Sequence, residues 1–239
     1  MGVLSWSWLG DIKVFNLTKR HLEQFSADRK LIVKDGTVKS ELMLIKRVFK
    51  VAINKWNYGI PFNAFHGLDI PSPHKPRTRR LLSNELSILI SNAKKQRNKY
   101  ISSIIQFAVE TGMRRSEILK LTWNDVNLDT GIASLYDTKN GDDRHIPLTK
   151  TAIELLSNLT QSSEFVFPIS ANCLRLAWER CRNKSNIKGL RFHDLRHEAV
   201  SRFFEMGLSV PEVALISIHK DVRQLFGYTH LKPENLIAK

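Results

Sequence analysis

The chain contains 239 residues, of which 42% are hydrophobic and 25% are charged, and this composition excludes intrinsically disordered, collagen-like and disulfide-scaffold proteins. The length suits one large or two small domains with a sizeable core. Thirty-seven Lys and Arg residues against 23 Asp and Glu residues give a formal net charge of +14, which favours a polyanionic partner such as nucleic acid.

The first ten residues, MGVLSWSWLG, lack the basic flank and the long apolar run of a signal peptide. No stretch of the sequence approaches the roughly 18 apolar residues that a membrane span requires, so no membrane partner is expected. Cys173 and Cys181 lie in a predicted helix at a spacing that fits neither a disulfide framework nor a zinc site. Together these features predict a protein of the reducing cytoplasm.

The positive charge is concentrated in the first hundred residues. Residues 1–70 contain eleven basic and six acidic side chains, residues 71–100 contain eight and one, and residues 101–239 contain eighteen and sixteen. The segment 71–80, PSPHKPRTRR, combines three prolines with four cations, which is typical of an extended connector. We therefore predict a basic domain over 1–70, a linker over 71–80 and a second domain over 81–239. A solvated connector without a ligand is the alternative interpretation of the linker.

Helical spacing dominates the first domain. Thr18 is a candidate N-cap for a helix that turns Leu22 and Phe25 inward. After an Asp35-Gly36 turn, a longer helix is predicted from apolar residues at helical spacing with basic residues between them. The apolar set is Val38, Leu42, Ile45, Val48, Phe49, Ala52 and Trp56, and the basic set is Lys39, Lys46, Arg47, Lys50 and Lys55. One face is expected to pack and the other to meet phosphates, unless these lysines are merely solvated.

The second domain is predicted to be helical with one hairpin. Helices are expected around Leu86–Ala93 and Tyr100–Val109. Two β-like runs, 132–136 and 144–149, flank Asn140-Gly141, which is a strong hairpin signal. Helical patterns resume at residue 151, and the best of the later ones runs from His193 to a C-terminal glycine at 207.

Four fragments of the second domain carry reactive side chains: TGMRRSE (111–117), TKNGDDRH (138–145), HDLRH (193–197) and HKDVRQLFGYTH (219–230). In this order and at this spacing they resemble the catalytic boxes of the tyrosine recombinases, particularly the phage and prophage integrases. The first 70 residues look like the helical core-binding domain of that family without its N-terminal part. The usual first helix and an arm-binding domain are expected to be absent. The resemblance implies a mainly α (α+β) fold, in which this domain and a mostly helical catalytic domain with a small antiparallel β-sheet close around duplex DNA.

The resemblance also implies a role for individual residues. The implied catalytic set is Arg114, Lys139, His193, Arg196, His219 and Tyr228, with Glu117 in a supporting role. DNA contacts are expected from Lys46, Arg47, Lys50, Lys75, Arg77, Arg79 and Arg80. Tyr228 would be the nucleophile, nine residues beyond His219, and Lys139 would be the general acid.

These residue types suit cleavage of a DNA phosphodiester by a side-chain oxygen. Negative charge builds on the nonbridging oxygens, and guanidinium groups can pair with two such oxygens at once. A phenol has a pKa of about 10 and must lose its proton during the attack. The resulting 3′-phosphotyrosyl bond can be resealed without a metal, another cofactor or ATP. The resemblance therefore implies a recombinase that acts at the nucleoid as a homo-tetramer on paired DNA sites. Such a protein can still be a monomer in solution. An accessory DNA-bending protein is expected as a further partner.

Three other interpretations stay open. HDLRH places two histidines at i and i+4, as in H-E-x-x-H zinc proteases, although Arg196 would repel the metal and no third ligand is evident. A non-enzymatic DNA-binding protein needs only basic helices and forms no covalent product. The third is a catalytically impaired prophage remnant. Its active-site geometry would be disturbed by Ile218, where the family normally has glycine, or by Gly227, where the family normally has a larger residue. His197 is expected to be a buried structural histidine.

Overall fold

A computed structural model describes residues 7–60, 62–71, 79–136, 143–217 and 221–228. The chain divides into two compact units, Met1–Arg77 and Thr78–Lys239. Within the described ranges, none of the helices combines the length and apolar character needed to cross a membrane.

The first unit is helical. Its helices are α1 (Ser7–Asp11), α2 (Lys19–Lys30) and α3 (Asp35–Trp56), with 3-10 turns at Val14–Asn16 and Phe62–Phe65. Thr18 is the N-cap of α2, and its backbone N–H donates to Nδ1 of His21 at 3.2 Å. Leu22 and Phe25 are buried on the inner face of α2. These observations confirm the predicted start and orientation of α2.

Helix α3 differs from the sequence prediction at its start and in the exposure of two of its apolar residues. It begins at Asp35, so Asp35-Gly36 forms its first turn and is not a separate turn before it. Val48 is 41% exposed and Trp56 is 61% exposed, so their predicted place on the packed face is wrong. Val48 lies about 100° around the helix from the buried Phe49, and Trp56 is the last residue of the helix.

The second unit is mainly helical and contains one small antiparallel sheet. Its helices are α4 (Glu85–Lys94), α5 (Tyr100–Thr111), α6 (Arg115–Lys120), α7 (Lys150–Ser157), α8 (Ala171–Lys184), α9 (Asp194–Glu205) and α10 (Val210–Ser217), with 3-10 turns at Trp123–Asp125 and Val222–Tyr228. The strands β1 (Val126–Asn127), β2 (Ile132–Leu135) and β3 (Arg144–Pro147) pair in chain order, with Leu135 opposite Arg144. The predicted fold class is confirmed. The predicted Asn140-Gly141 turn lies outside the described residues.

Helix α5 forms the centre of the second core. Ile101, Ile104, Ile105 and Ala108 are almost completely buried, and α5 packs against α4, α7, α8 and α9. Burying an Ile side chain stabilises a fold by about 1.5–3 kcal/mol. This packing fixes α5 and α9, which flank the candidate site, against each other.

Gly112 joins α5 to the next helix and lets α9 approach closely. Its φ of +63° lies in the left-handed region, and a Cβ at this position would stand 3.3 Å from Cβ of Ala199. Its carbonyl oxygen accepts a hydrogen bond from Nη1 of Arg196 at 2.6 Å, and Arg114 follows two residues later. This one glycine therefore helps to position both arginines of the predicted catalytic set.

Gly112→Ala is expected to lower the free energy of unfolding by about 1–3 kcal/mol, because it adds both left-handed strain and a tight contact with α9. Urea denaturation followed by circular dichroism measures this loss. Gly189→Ala is the matched control, since Gly189 has a φ of +70° but no atom of the described residues lies within 4 Å of its Cβ position. Equal losses in the two variants would contradict the importance of the α5–α9 contact.

Candidate active site

Arg114 is the N-cap of α6 and is held there by Glu117. The backbone N–H of Arg114 donates to Oε2 of Glu117 at 2.7 Å, and Nη1 of Arg114 donates to Oε1 at 2.7 Å. The Arg114 side chain remains 37% exposed, whereas that of Glu117 is 12% exposed. Burial alone would raise the pKa of Glu117, but Arg144 and Arg114 lower it below its ordinary value. Glu117 is therefore ionised at neutral pH and orients a guanidinium that solvent or a ligand can reach.

Arg196 is buried on α9 and is fixed through backbone carbonyls. Its Nη1 donates to the oxygen of Gly112 at 2.6 Å, and its Nη2 donates to the oxygen of Ser217. Burial, together with the positive charges of Arg114 and Arg144, lowers the pKa of Arg196 to about 10. The group stays charged at neutral pH, and two backbone oxygens hold its plane without neutralising it.

Tyr228 lies inside the site with its hydroxyl against His197. Its Oη is 2.5 Å from Nδ1 of His197, and the two rings stack with centroids 5.3 Å apart and an interplanar angle of 19°. Burial raises the pKa of Tyr228, and the positive charge of Arg196 opposes this rise. The phenol is therefore protonated at neutral pH, and its oxygen lies within hydrogen-bond distance of an imidazole nitrogen.

His193 precedes the first turn of α9 and lies beside His197. The two imidazole rings are perpendicular, with centroids 5.2 Å apart. Desolvation lowers the pKa of His193, and His197 and Arg196 lower it further, so His193 is neutral at pH 7 and can donate or accept a hydrogen bond. In the part of the chain that the structure describes, no three His, Cys, Asp or Glu side chains are grouped to hold a metal ion.

The structure thus brings together four members of the predicted set and the supporting Glu117. Arg114, His193, Arg196 and Tyr228 lie in the second unit, where the Tyr228 hydroxyl and the His193 ring both lie against His197 and the positive charge of Arg114 acts on Arg196. Lys139, His219 and Ile218 lie outside the described residues. Gly227 lies in the turn Val222–Tyr228, where a Cβ would meet no atom of the described residues within 4 Å, and the neighbouring Leu225 is fully buried. Leu225 and the contact with His197 therefore anchor the tyrosine segment around the glycine.

Sequence reasoning missed two residues of this site. His197 is half-buried and not fully buried as predicted, and its Nδ1 lies against the Tyr228 hydroxyl. Its position four residues after His193 puts both imidazoles on one helix face, which was the available signal. Arg144 has a side chain that is 2% exposed and places its Nη2 3.2 Å from Oε2 of Glu117. Its signal was the alternation along β3, which puts it on the same inward face as Ile146.

A basic cleft opens beside His193 and Arg196. It has a volume of about 480 Å³. Its other charged lining residues are Arg115, Arg175, Arg182, Arg191 and Glu179. Trp178 and Phe192 contribute an edge-to-face aromatic pair to the wall, with centroids 5.4 Å apart. Such an excess of guanidinium groups next to the two reactive side chains suits a phosphate backbone.

The predicted DNA contacts fall into three groups. Lys46, Arg47 and Lys50 lie on α3, and Arg47 and Lys50 are exposed. Lys75 and Arg77 lie outside the described residues. These five residues remain predictions.

Arg79 and Arg80 lie at the start of the second unit, and each of them pairs with glutamate. Arg79 pairs with Glu85, and Arg80 places Nη1 2.5 Å from Glu205 and Nε 3.2 Å from Glu198. These ion pairs hold both guanidinium groups at the start of the second unit. Contacts of Arg79 and Arg80 with DNA stay predictions, like those of the other five residues.

Known proteins match the chain over most of its length. The sequence model of the phage integrase family matches residues 79–235. The shufflon-specific DNA recombinase of Escherichia coli is 37% identical over 209 residues, covering 87% of this chain and 54% of that relative. A putative integrase/recombinase of Haemophilus influenzae is 32% identical over 220 residues, covering 89% and 72%. The chain thus spans about half the length of the E. coli relative.

Solved structures share the fold at low sequence identity. The Tn1549 transposon integrase in complex with circular intermediate DNA has a TM-score of 0.76 at 17% identity, covering 99% of this chain and 89% of that chain. A lambda integrase dimer bound to a COC′ core site has a TM-score of 0.75 at 18% identity, covering 92% and 82%. By its sequence match over residues 79–235 and by its relatives, the chain belongs to the phage integrase family of tyrosine recombinases.

Proposed function

We propose that this chain is a site-specific DNA recombinase that breaks and rejoins strands through a 3′-phosphotyrosyl intermediate on Tyr228. The observation that carries the proposal is the placement of the Tyr228 hydroxyl against His197 and within electrostatic range of Arg196. A phenol, a proton acceptor and fixed guanidinium groups are the parts that attack on a phosphodiester requires. Family membership and this contact favour strand transfer over a zinc protease.

In the proposed cleavage step, the Tyr228 oxygen forms a bond to phosphorus and the bond from phosphorus to the 5′ oxygen breaks. The phenol proton passes to Nδ1 of His197, which lies 2.5 Å away. Arg114 and Arg196 donate to the nonbridging oxygens, on which charge accumulates. Lys139 supplies the proton that the departing 5′ oxygen takes up.

Resealing is the reverse of the same step with a different 5′ hydroxyl. That hydroxyl attacks the phosphotyrosine, and the tyrosine oxygen leaves and regains its proton. Because one phosphoester replaces another at each stage, no ATP is consumed. His193 and His219 serve as further hydrogen-bond donors to the phosphate in this proposal.

The proposed substrate is duplex DNA. The basic cleft beside His193 and Arg196 supports a phosphate backbone as ligand, and the solved transposon and lambda integrase structures are complexes with DNA. The proposal also includes contacts with DNA from Lys46, Arg47, Lys50, Lys75, Arg77, Arg79 and Arg80. It also includes assembly of a homo-tetramer on paired sites, an accessory DNA-bending protein, and action at the nucleoid in the cytoplasm.

A nicked DNA substrate tests the proposal. If the nick lies just beyond the cleavage point, the cleavage releases a short fragment that carries the new 5′ hydroxyl. This fragment diffuses away, and the covalent product accumulates. A denaturing gel is expected to show a protein band shifted by the length of the attached strand. Absence of that band on DNA that a native gel shows to be bound would favour a non-enzymatic binding protein.

His197→Ala is expected to slow adduct formation about 10- to 100-fold, because the phenol loses its proton acceptor. Quenched time courses on saturated, nicked DNA measure the rate. His145→Ala is the matched control, since His145 is an exposed imidazole that contacts Ser134 on the sheet, and it should leave the rate within about twofold of wild type. A His197→Ala rate equal to that of the control would remove His197 from the proton-transfer step.

A further inference from the structure

Arg144 is a buried arginine, and its contribution to the stability of the fold does not explain its position well. Among the described residues, its hydrogen bonding is limited to one bond, from Nη2 to Oε2 of Glu117 at 3.2 Å. Its Nε and Nη1 are buried, and neither has a hydrogen-bond partner in the part of the chain that the structure describes. A buried charge with unpaired donors is destabilising compared with a well-packed apolar side chain. The presence of an arginine at this buried position therefore calls for an explanation other than the stability of the fold.

The strand pairing holds Arg144 rigidly at this place. It is the first residue of β3 and stands opposite Leu135 in the ladder with β2. The alternation along β3 turns Arg144 and Ile146 inward and His145 outward. A one-residue shift of the strand would remove the guanidinium from Glu117, so the sheet register fixes the contact.

The charges around Glu117 show what Arg144 can supply. Glu117 orients Arg114 through both of its oxygens, but a carboxylate that pairs with one guanidinium also cancels its charge. A phosphate would then meet an oriented but neutralised Arg114–Glu117 pair. With Arg144 on the same carboxylate, the three side chains carry a net charge of +1.

We propose that Arg144 is a positioning residue that offsets the negative charge of Glu117, so that Glu117 can orient Arg114 without neutralising it towards the phosphate. This inference rests on the proposed strand-transfer function and deepens it. Arg144 touches neither the phosphate nor the nucleophile in this role, and it acts through Glu117.

The electrostatic environment of the site agrees with this role. Arg144 contributes to the lowered pKa of Arg196, so its positive field extends to the second arginine. Burial and the charge of Arg114 lower the pKa of Arg144, and Glu117 opposes them. The carboxylate is therefore the group that keeps three guanidinium groups compatible in one small volume.

A double-variant comparison tests the inference. Rates of adduct formation on saturated, nicked DNA are measured for wild type, Arg144→Met, Glu117→Gln and the combined variant. Arg144→Met is expected to be about 30-fold slower, the effect of one unit charge at several ångströms in a partly shielded site. Adding Glu117→Gln to Arg144→Met is expected to raise the rate about 3- to 10-fold, because it removes the uncompensated carboxylate. Arg144→Lys, which keeps the charge, should stay within about fivefold of wild type.

A purely structural role for Arg144 gives the opposite order, with the combined variant as slow as Arg144→Met or slower. That result, or a wild-type rate for Arg144→Met, would overturn the inference. If Arg144→Met does not fold, Arg144→Gln replaces it with the same expected order. Arg29→Met is the control, since it removes a buried Arg–Glu pair of the first unit and should lower the melting temperature without changing the rate. If the wild-type protein forms no adduct, that result contradicts the proposed function itself and not the role of Arg144.

Discussion

Tyr228→Phe is expected to abolish the covalent adduct while leaving DNA binding within about twofold of wild type. The substitution removes only the hydroxyl oxygen, which is the attacking atom in the proposed step, so the rate should fall more than about 10⁴-fold. The ring keeps its stacking on His197, so the site is expected to keep its shape. Denaturing gels measure the adduct, and native gels at the same protein concentrations measure binding.

Tyr100→Phe is the matched control for this variant. Tyr100 is a buried tyrosine of the same unit, and its hydroxyl lies 3.4 Å from Oγ of Ser162. Losing that weak contact should cost less than about 1 kcal/mol and should leave the adduct unchanged. An adduct that persists in Tyr228→Phe would mean that another side chain is the nucleophile.

Arg196→Lys is expected to slow adduct formation about 10²- to 10³-fold. Two nitrogens of Arg196 already donate to the carbonyls of Gly112 and Ser217, and a guanidinium has further N–H groups left for the phosphate. An ammonium has three donors on a single nitrogen and cannot reproduce this fork. The charge is retained, so the loss would report geometry.

The time course of adduct formation on saturated DNA separates this effect from weaker binding. Arg202→Lys is the control on the same helix, because Arg202 pairs with Glu198 on the partly exposed side of α9, and its rate should stay within about twofold of wild type. A normal rate for Arg196→Lys at saturation, with only the affinity reduced, would mean that Arg196 binds DNA without stabilising the transition state.

The elements that the sequence predicts well are those with strong local signals. Helix α5 follows from its apolar stripe, and α9 follows from its apolar spacing and from Gly207, which adopts a φ of +90° after the helix ends. Arg114 and Glu117 are three residues apart, so their contact across the first turn of α6 is local as well. Such features depend on residues that are close in sequence, so the sequence pattern alone is enough to predict them.

The features that the sequence does not predict are contacts between distant segments. His197 meets Tyr228 from 31 residues away, Arg144 meets Glu117 from 27, and Arg80 meets Glu198 from 118. Nothing local marks these partners, because each pair forms only when packed helices and strands bring the two segments together. For the same reason a basic run that reads as free in sequence can be ion-paired in the fold.

Mass spectrometry of the trapped adduct identifies the side chain that becomes bonded to DNA. Wild-type protein is incubated with nicked DNA, denatured and digested with protease and nuclease, and the peptide that carries the residual nucleotide is sequenced by fragmentation. We expect a nucleotide joined through its 3′ phosphate to the oxygen of Tyr228. A nucleotide on any other residue, or DNA that is bound but never covalently attached, would contradict this expectation.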